Sequence, residues 1–258
     1  MIESVFQVEP AGLITLWHEV FGDPPELPAR FLEQLPAYGC GFAAVEAGEV
    51  LGAAYWIDAL ELAGEKCGYL YAVAVRPEAR GRGLGADLSR ACFEEGVRRG
   101  ARYRCTAPAE PSLFGWYARI LGVQPALYRQ CREIPASPSL PVRPIPPEAY
   151  EERRDALLGA RPHLRCGAAA MSYEAENCRC FGGDLYAVGD GIAAAGSEDG
   201  YALVREALGP EPEQIAAAVA AHLGCEKARL LSCADEGTPF LAADRPFPPG
   251  TVWNLAFD

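Results

Sequence analysis

Apolar residues first recur at helical spacing. Leu13, Leu16, Trp17, Val20 and Phe21 stand at i, i+3, i+4, i+7 and i+8, which predicts a helix with one inward face. The apolar stretch Val5 to Val8 precedes it and Gly22-Asp23-Pro24-Pro25 stops it. Prolines are tolerated in a first turn, so a second helix opens there and turns Leu27, Phe31 and Leu35 inward. A strand pair follows, Gly41 to Glu46 and Val50 to Ile57, around a turn at Ala47-Gly48. The unbroken apolar run Tyr69 to Val75 predicts a central strand buried on both faces. Beyond a loop of arginine and glycine, Leu84, Leu88, Ala91 and Cys92 mark a helix reaching about Gly100. A strand at Tyr103 to Thr106, a helix from Ser112 to Leu121 and a strand from Ala126 to Glu133 complete this half.

Pro135, Pro138, Pro141, Pro144, Pro146 and Pro147 then crowd one short stretch, which favours extended chain over helix or central strand. The domain boundary is expected there, with one domain over residues 1–134 and another over 140–258. The second part repeats the order of the first. Helices at Glu148 to Leu158 and Tyr173 to Cys180 precede turns at Gly182-Gly183 and Gly189-Asp190-Gly191 between short strands. A strand at Tyr201 to Ala207, a helix at Glu211 to Leu223, and strands at Ala228 to Cys233 and Val252 to Phe257 follow. The expected class is α/β with mixed sheets, two copies of one unit, argued from element order because few residues match between the halves.

Composition narrows the function. At 258 residues, 50% hydrophobic and 22% charged, the chain has enough apolar surface for packed cores and too little charge for disorder. No run approaches the roughly 20 apolar residues of a membrane span, and Met1-Ile2-Glu3-Ser4 does not open a signal peptide, so a cytoplasmic protein with no membrane partner is expected. Divided after Ser137, the chain has 13 basic against 17 acidic residues in the first part and 10 against 18 in the second. Neither part has the basic excess that phosphate-backbone binding requires, so nucleic acid is excluded as a partner. The 21 arginines against two lysines, Lys66 and Lys227, read as genomic composition. Ten cysteines contain no CxxC, and the histidines are His18, His163 and His222, so no familiar zinc set can be written. Reduced, mostly buried thiols and no metal are expected.

The chemistry concentrates in Val73-Ala-Val75-Arg-Pro-Glu-Ala-Arg80-Gly81-Arg82-Gly83-Leu84-Gly85-Ala86, a strand running through a glycine-rich loop into a helix. Glycines let backbone N–H groups turn toward a ligand, and a helix N-terminus adds unpaired donors, so this segment can cradle a diphosphate. Arg80 and Arg82 add charge-assisted contacts. A surface turn with two arginines is the plainer alternative. Gly81 to Ala86 also matches the GxGxxA of dinucleotide sites. There, however, an acid should follow the next strand, and here Glu110 comes late and after a proline, in mid-domain.

Arg80-x-x-Gly83-x-Gly85 after a Val-x-Val-x-Pro strand resembles the acyl-CoA loop (Q/R-x-x-G-x-G/A) of the GNAT superfamily of N-acyltransferases. Cys105-Thr106-Ala-Pro-Ala109 and Ser112-Leu-Phe-Gly-Trp-Tyr117-Ala-Arg-Ile-Leu-Gly122 resemble that family's next strand and helix, and the likeness covers most of residues 1–133. The resemblance implies two tandem GNAT-like domains, each a mostly antiparallel central sheet flanked by helices. It implies acetyl-CoA as co-substrate, its pantetheine arm paired with the backbone of Val73 and Val75. Its pyrophosphate would lie on Arg80, Gly81, Arg82, Gly83, Leu84, Gly85 and Ala86, with Ser112 nearby. Tyr117 would protonate the leaving thiolate, a role open to a phenol because its pKa of about 10 is near that of a thiol. The acceptor would be an amine, small-molecule before protein; oligomeric state is left open.

Many family members carry a glutamate on the central strand as general base; here that place falls to Tyr69. Asp58, Glu61 and Glu110 are weak substitutes, and no base is assigned. A non-catalytic CoA-binding module therefore stands as the alternative. The second part has Leu208-Gly-Pro-Glu-Pro212 after its strand instead of the loop motif, so it resembles tandem members whose C-terminal unit has lost the cofactor site.

Overall fold

The computed structural model describes residues 1–234 and 236–255. Its contacts divide the chain into two units: Met1–Ala126 with Phe240–Phe247, and Leu127–Pro239 with the chain from Pro248 onward.

The first unit begins with β1 (Ile2–Ser4) and a 3-10 turn over Val5–Gln7, the apolar stretch that preceded the first predicted helix. Helix α1 (Pro10–Phe21) has proline in its first turn and ends at Gly22, whose φ of 79° only glycine adopts cheaply. Leu13, Leu16 and Trp17 are buried as the spacing requires, whereas Phe21, expected inward, is 41% exposed. Helix α2 (Glu26–Tyr38) buries Leu27, Phe31 and Leu35. Strands β2 (Gly39–Glu46), β3 (Glu49–Leu62) and β4 (Glu65–Val75) form an antiparallel meander. Then come α3 (Leu84–Arg98), β5 (Tyr103–Thr106) and α4 (Pro111–Leu121). The sheet order is β1-β2-β3-β4-β5, with β4 and β5 parallel, and a late strand, β13 (Thr238–Ala243), adds to β5 antiparallel.

Alternation along the strands decides what covers each face. Tyr55 meets Trp17 and Phe31 on the α1–α2 side. Ala54, Trp56 and Leu70 pack on the other side with Leu88, Cys92, Phe93 and Tyr117 from α3 and α4. Trp56 is wholly buried and needs two glycines: a Cβ on Gly68 would stand 2.0 Å from its Cζ2, and one on Gly96 2.2 Å.

The second unit contains β6 (Gln124–Pro135, from Leu127), β7 (Val142–Pro144), α5 (Pro147–Leu158), β8 (Leu164–Arg165) and α6 (Ala168–Cys180). It continues with β9 (Asp184–Val188), β10 (Gly191–Glu198), β11 (Tyr201–Leu208), α7 (Pro212–His222) and β12 (Lys227–Ala234). Its order, β7-β9-β10-β11-β12 with the last pair parallel, repeats that of β1 to β5, and β6 adds to β12 antiparallel as β13 adds to β5. The mixed α/β class and the repeated element order are thus present. Alanines of α7 pack with Val204, Leu230 and Tyr186 on one face. Toward α5, wholly buried Arg154 donates through Nε to Glu206 Oε1 (2.8 Å), which also accepts from the Tyr150 hydroxyl (3.0 Å).

The strand expected over Val252 to Phe257 is not formed where it is described: Val252 makes one isolated bridge to His163, and Ala256 and Phe257 lie outside the described residues. Trp253, Asn254 and Leu255 are nonetheless buried. Asn254 Oδ1 accepts from Cys233 N (2.9 Å) and its Nδ2 donates to Glu206 Oε2 (3.4 Å), bridging β12 and β11 beyond Val204↔Leu230, the last residue pair of their parallel ladder.

Candidate active site

The run Tyr69 to Val75 is not buried throughout, because its neighbour stops. Strand β5 pairs with β4 from Cys67↔Tyr103 to Leu70↔Thr106 and ends there, while β4 continues to Val75. Tyr71, Ala72, Val73 and Val75 are consequently half-buried. On the other edge Tyr71 pairs with Tyr55 and Ala74 with Ala53, two steps of β3 against three of β4. This bulge places Ala72 at φ 46°, a left-handed conformation costly for a residue with a Cβ. The bulge and the missing neighbour together leave a kinked length of strand with one backbone edge open to an extended ligand.

That edge runs directly into the loop. Pro77–Ala79 form a 3-10 turn, and Gly81 and Gly83 take φ of 77° and 84°. A Cβ on either would meet nothing within 4 Å, so backbone conformation and not crowding requires glycine there. Arg80 N donates to Pro77 O (3.3 Å) and Ala86 N to Gly83 O (3.0 Å). Between them, the N–H groups from Gly81 to Gly85 have no acceptor among the described residues. Unpaired donors and the positive end of α3 therefore fall within one short stretch of chain. Arg80 is exposed and donates through Nε to Val75 O (3.2 Å), tying the loop to the end of β4. Arg82 instead pairs with Glu46 (2.9 Å), which offsets its charge. Val75 and Trp116 flank Gly85 at 3.6 Å from where its Cβ would be.

Tyr117 lies on α4, only 6% exposed, in the cluster with Leu88, Cys92 and Leu70. Burial pushes its phenol up to about 12, against the downward pull of a hydrogen bond with the Thr106 side chain. Thr106 itself donates to Leu70 O (3.1 Å) at the last β4–β5 register position. Ser112, in the first turn of α4, is exposed and donates to Glu110 Oε2 (3.3 Å).

Glu61 and Glu110 are exposed, and Asp58 is held between Arg99 (3.0 Å) and Lys66 (3.7 Å). Tyr69, 2% exposed, stacks beside Tyr71 at 5.8 Å. No group of three His, Cys, Asp or Glu among the described residues could hold a metal ion, and all ten cysteines are free thiols. No helix among the described residues is long and apolar enough to cross a membrane. Ala72 escaped the sequence reading because its residue type does not signal a bulge, which depends on register with β3.

Solved structures share this architecture. A conserved protein from Enterococcus faecalis V583 superposes with a TM-score of 0.68 at 13% identity, covering 94% of this chain and 72% of that one. A GCN5-related N-acetyltransferase from Kribbella flavida gives 0.64 at 18%, covering 94% and 70%. A second GCN5-related N-acetyltransferase, from Anabaena variabilis ATCC 29413, gives 0.63 at 14%, covering 94% and 72%. At such identities the likeness is one of fold. No curated protein matches the chain in sequence. The model of the acetyltransferase (GNAT) family matches residues 11–123, the stretch that contains the parted strands, the loop and Tyr117. Over residues 11–123, somewhat less than half of its length, the chain thus matches the acetyltransferase (GNAT) family.

Proposed function

We propose that the protein is a cytoplasmic N-acetyltransferase that moves an acetyl group from acetyl-CoA to a small-molecule amine at a single site in the first unit. The observation that carries this reading is the open edge of β4 running without interruption into the unpaired N–H groups of Gly81 to Gly85. An amide-bearing arm pairs with Val73 and Val75 as a strand would, and the diphosphate beyond it meets the loop donors and Arg80. Arg82, already paired with Glu46, contributes less.

The amine nitrogen attacks the thioester carbonyl. The C–N bond forms, the C–S bond breaks, the nitrogen gives its proton to solvent and the thiolate takes one from Tyr117. A phenol raised to about 12 stays protonated throughout the neutral range, as a general acid must. The bulge at Ala72 sits where the carbonyl would lie, between the part of β4 held by β5 and the part left free for the arm.

The second unit is read as a copy that has lost the cofactor site. Leu208-Gly209-Pro210-Glu211-Pro212 offers an acidic, proline-interrupted turn where the first unit has its loop. Asn254, bridging Cys233 and Glu206, fills the corresponding gap between parallel strands with the chain's own backbone and side chain.

The second reading is a CoA-binding module without turnover, favoured by Tyr69 in place of a strand carboxylate. Calorimetry with acetyl-CoA, followed by thiol release over a panel of amines, separates the two. Binding at one site per chain with release is expected. Binding without release on any amine selects the module, and no binding sinks both. Tyr117→Phe should lower turnover with little change in acetyl-CoA affinity; an unchanged rate would remove Tyr117 from its role.

A further inference from the structure

On the α1–α2 side of the proposed site, aromatic rings from α1, α2, β3 and β4 surround one indole. Trp17, Phe31 and Tyr55 are core residues, 2%, 0% and 1% exposed. Two rings in the group are not closed over: Phe21 is 41% exposed and Tyr71 half-buried. Both stand edge-on to Trp17, at 5.6 Å and 68° for Phe21 and at 5.7 Å and 65° for Tyr71.

The same indole holds a carboxylate. Trp17 Nε1 donates to Asp23 Oδ2 at 2.7 Å, in the turn after α1. His18 bonds the Asp23 main-chain carbonyl through Nδ1 (2.7 Å) and leaves the carboxylate alone. Asp23 is half-buried, and no cation among the described residues pairs with it. The carboxylate and the two partly open rings thus share one neighbour, the Trp17 indole, a set of groups able to receive an organic cation through an ion pair and ring quadrupoles together.

Its place relative to the chemistry gives it a role. Tyr71 immediately precedes the bulge at Ala72, where β4 has lost β5 and the thioester would lie. From these observations we infer that Trp17, Phe21, Tyr71 and Asp23 form an acceptor subsite selecting amines that carry a second cation, ammonium or guanidinium, at the end remote from the reacting nitrogen. The inference rests on the N-acetyltransferase reading and goes beyond it by naming the substrate class and the residue that chooses it. The acidity of the first part of the chain, 13 basic against 17 acidic residues, adds a long-range field of the same sign.

The test compares initial rates of thiol release from acetyl-CoA with 1,4-diaminobutane and with n-butylamine, which lacks the second cation. The wild-type protein should favour the diamine by about tenfold in kcat/KM, mostly through KM. Asp23→Asn keeps an oxygen for the Trp17 N–H and removes only the charge, so it should bring the ratio to about one, while Asp23→Glu retains part of the preference. Tyr71→Ala should also narrow the ratio. Turnover of n-butylamine with no preference for the diamine would overturn the subsite while leaving the acetyltransferase reading intact. An Asp23→Asn protein slowed equally on both amines would assign Asp23 to structure alone. Absence of thiol release with either amine would overturn the reading beneath, and the subsite with it.

Discussion

Replacing Asp244 should destabilise the first unit far from its loop, by an amount the contacts allow to be worked out. Arg104 on β5 donates through Nε (2.9 Å) and Nη2 (2.7 Å) to Asp244 Oδ2, and its backbone N–H donates to Oδ1 (3.0 Å). The carboxylate is 8% exposed and the guanidinium 25%, so the pair is neither free surface nor dry interior. Breaking a fully buried pair costs about 3–5 kcal/mol, and an exposed one contributes about 1 or less. For Asp244→Ala the environment indicates a loss of about 2–3 kcal/mol, because Arg104 keeps some solvent and lies over the Phe93 ring (5.8 Å). In a protein of this size the melting temperature should fall by roughly 5–10 °C. A double-mutant cycle with Arg104→Ala, followed by urea denaturation, should give a coupling of about 1.5–2.5 kcal/mol. A coupling below about 0.5 kcal/mol would refute the reasoning, leaving β13 held by its ladder and by buried Phe240 and Leu241.

Arg80→Ala should weaken acetyl-CoA binding by about 1.5–3 kcal/mol, with kcat changed less than affinity; calorimetry and steady-state rates check this. Gly96→Ala gains helix propensity of about 1 kcal/mol but drives a methyl against Trp56, whose overpacking costs about 1–3 kcal/mol, so net destabilisation is expected on thermal melting. Stability should also fall on the alkaline side. Burial raises the Cys40 thiol to about 11, the Cys233 thiol to about 11 and the Tyr186 phenol to about 12, while the unfolded chain ionises near 9 and 10. The unfolded state loses these protons first, so stabilisation present at pH 8 is lost progressively from about pH 9 upward. Melting temperatures that stay level from pH 8 to pH 11 would contradict this.

Much of this architecture was legible because it is local. The spacing of Leu13, Leu16 and Trp17 and the glycines that need positive φ report themselves within a few residues, and the strand at Tyr103 to Thr106 falls where its pattern put it. What failed to show depends on a distant neighbour. Tyr71 and Val73 look like core in sequence and are half-buried because β5 ends beside Leu70. β13, interrupted by Pro239 and followed at once by Asp244, was missed because its pairing partner lies far back in the chain. The apolar Val252 to Leu255 stretch looked like a strand, but those residues are buried as irregular chain and satisfied by Cys233 and Glu206. Among the site residues, the loop could be found from its glycines, whereas the bulge at Ala72 depends on register between strands.

The late return of residues 240–247 to the first unit sets a timetable for synthesis. Arg104 leaves the ribosome 140 residues before Asp244, so the first unit cannot complete its sheet while the nascent chain is still short. Domains commonly fold in the order in which they are made, but here β5 must wait with an unpaired edge until nearly the whole chain is available. A ribosome stalled anywhere in the second half would expose an unfinished first unit. The first unit therefore completes its sheet only when nearly the whole chain has been made, and on the proposed reading an N-terminal nascent fragment should show no acyl transfer.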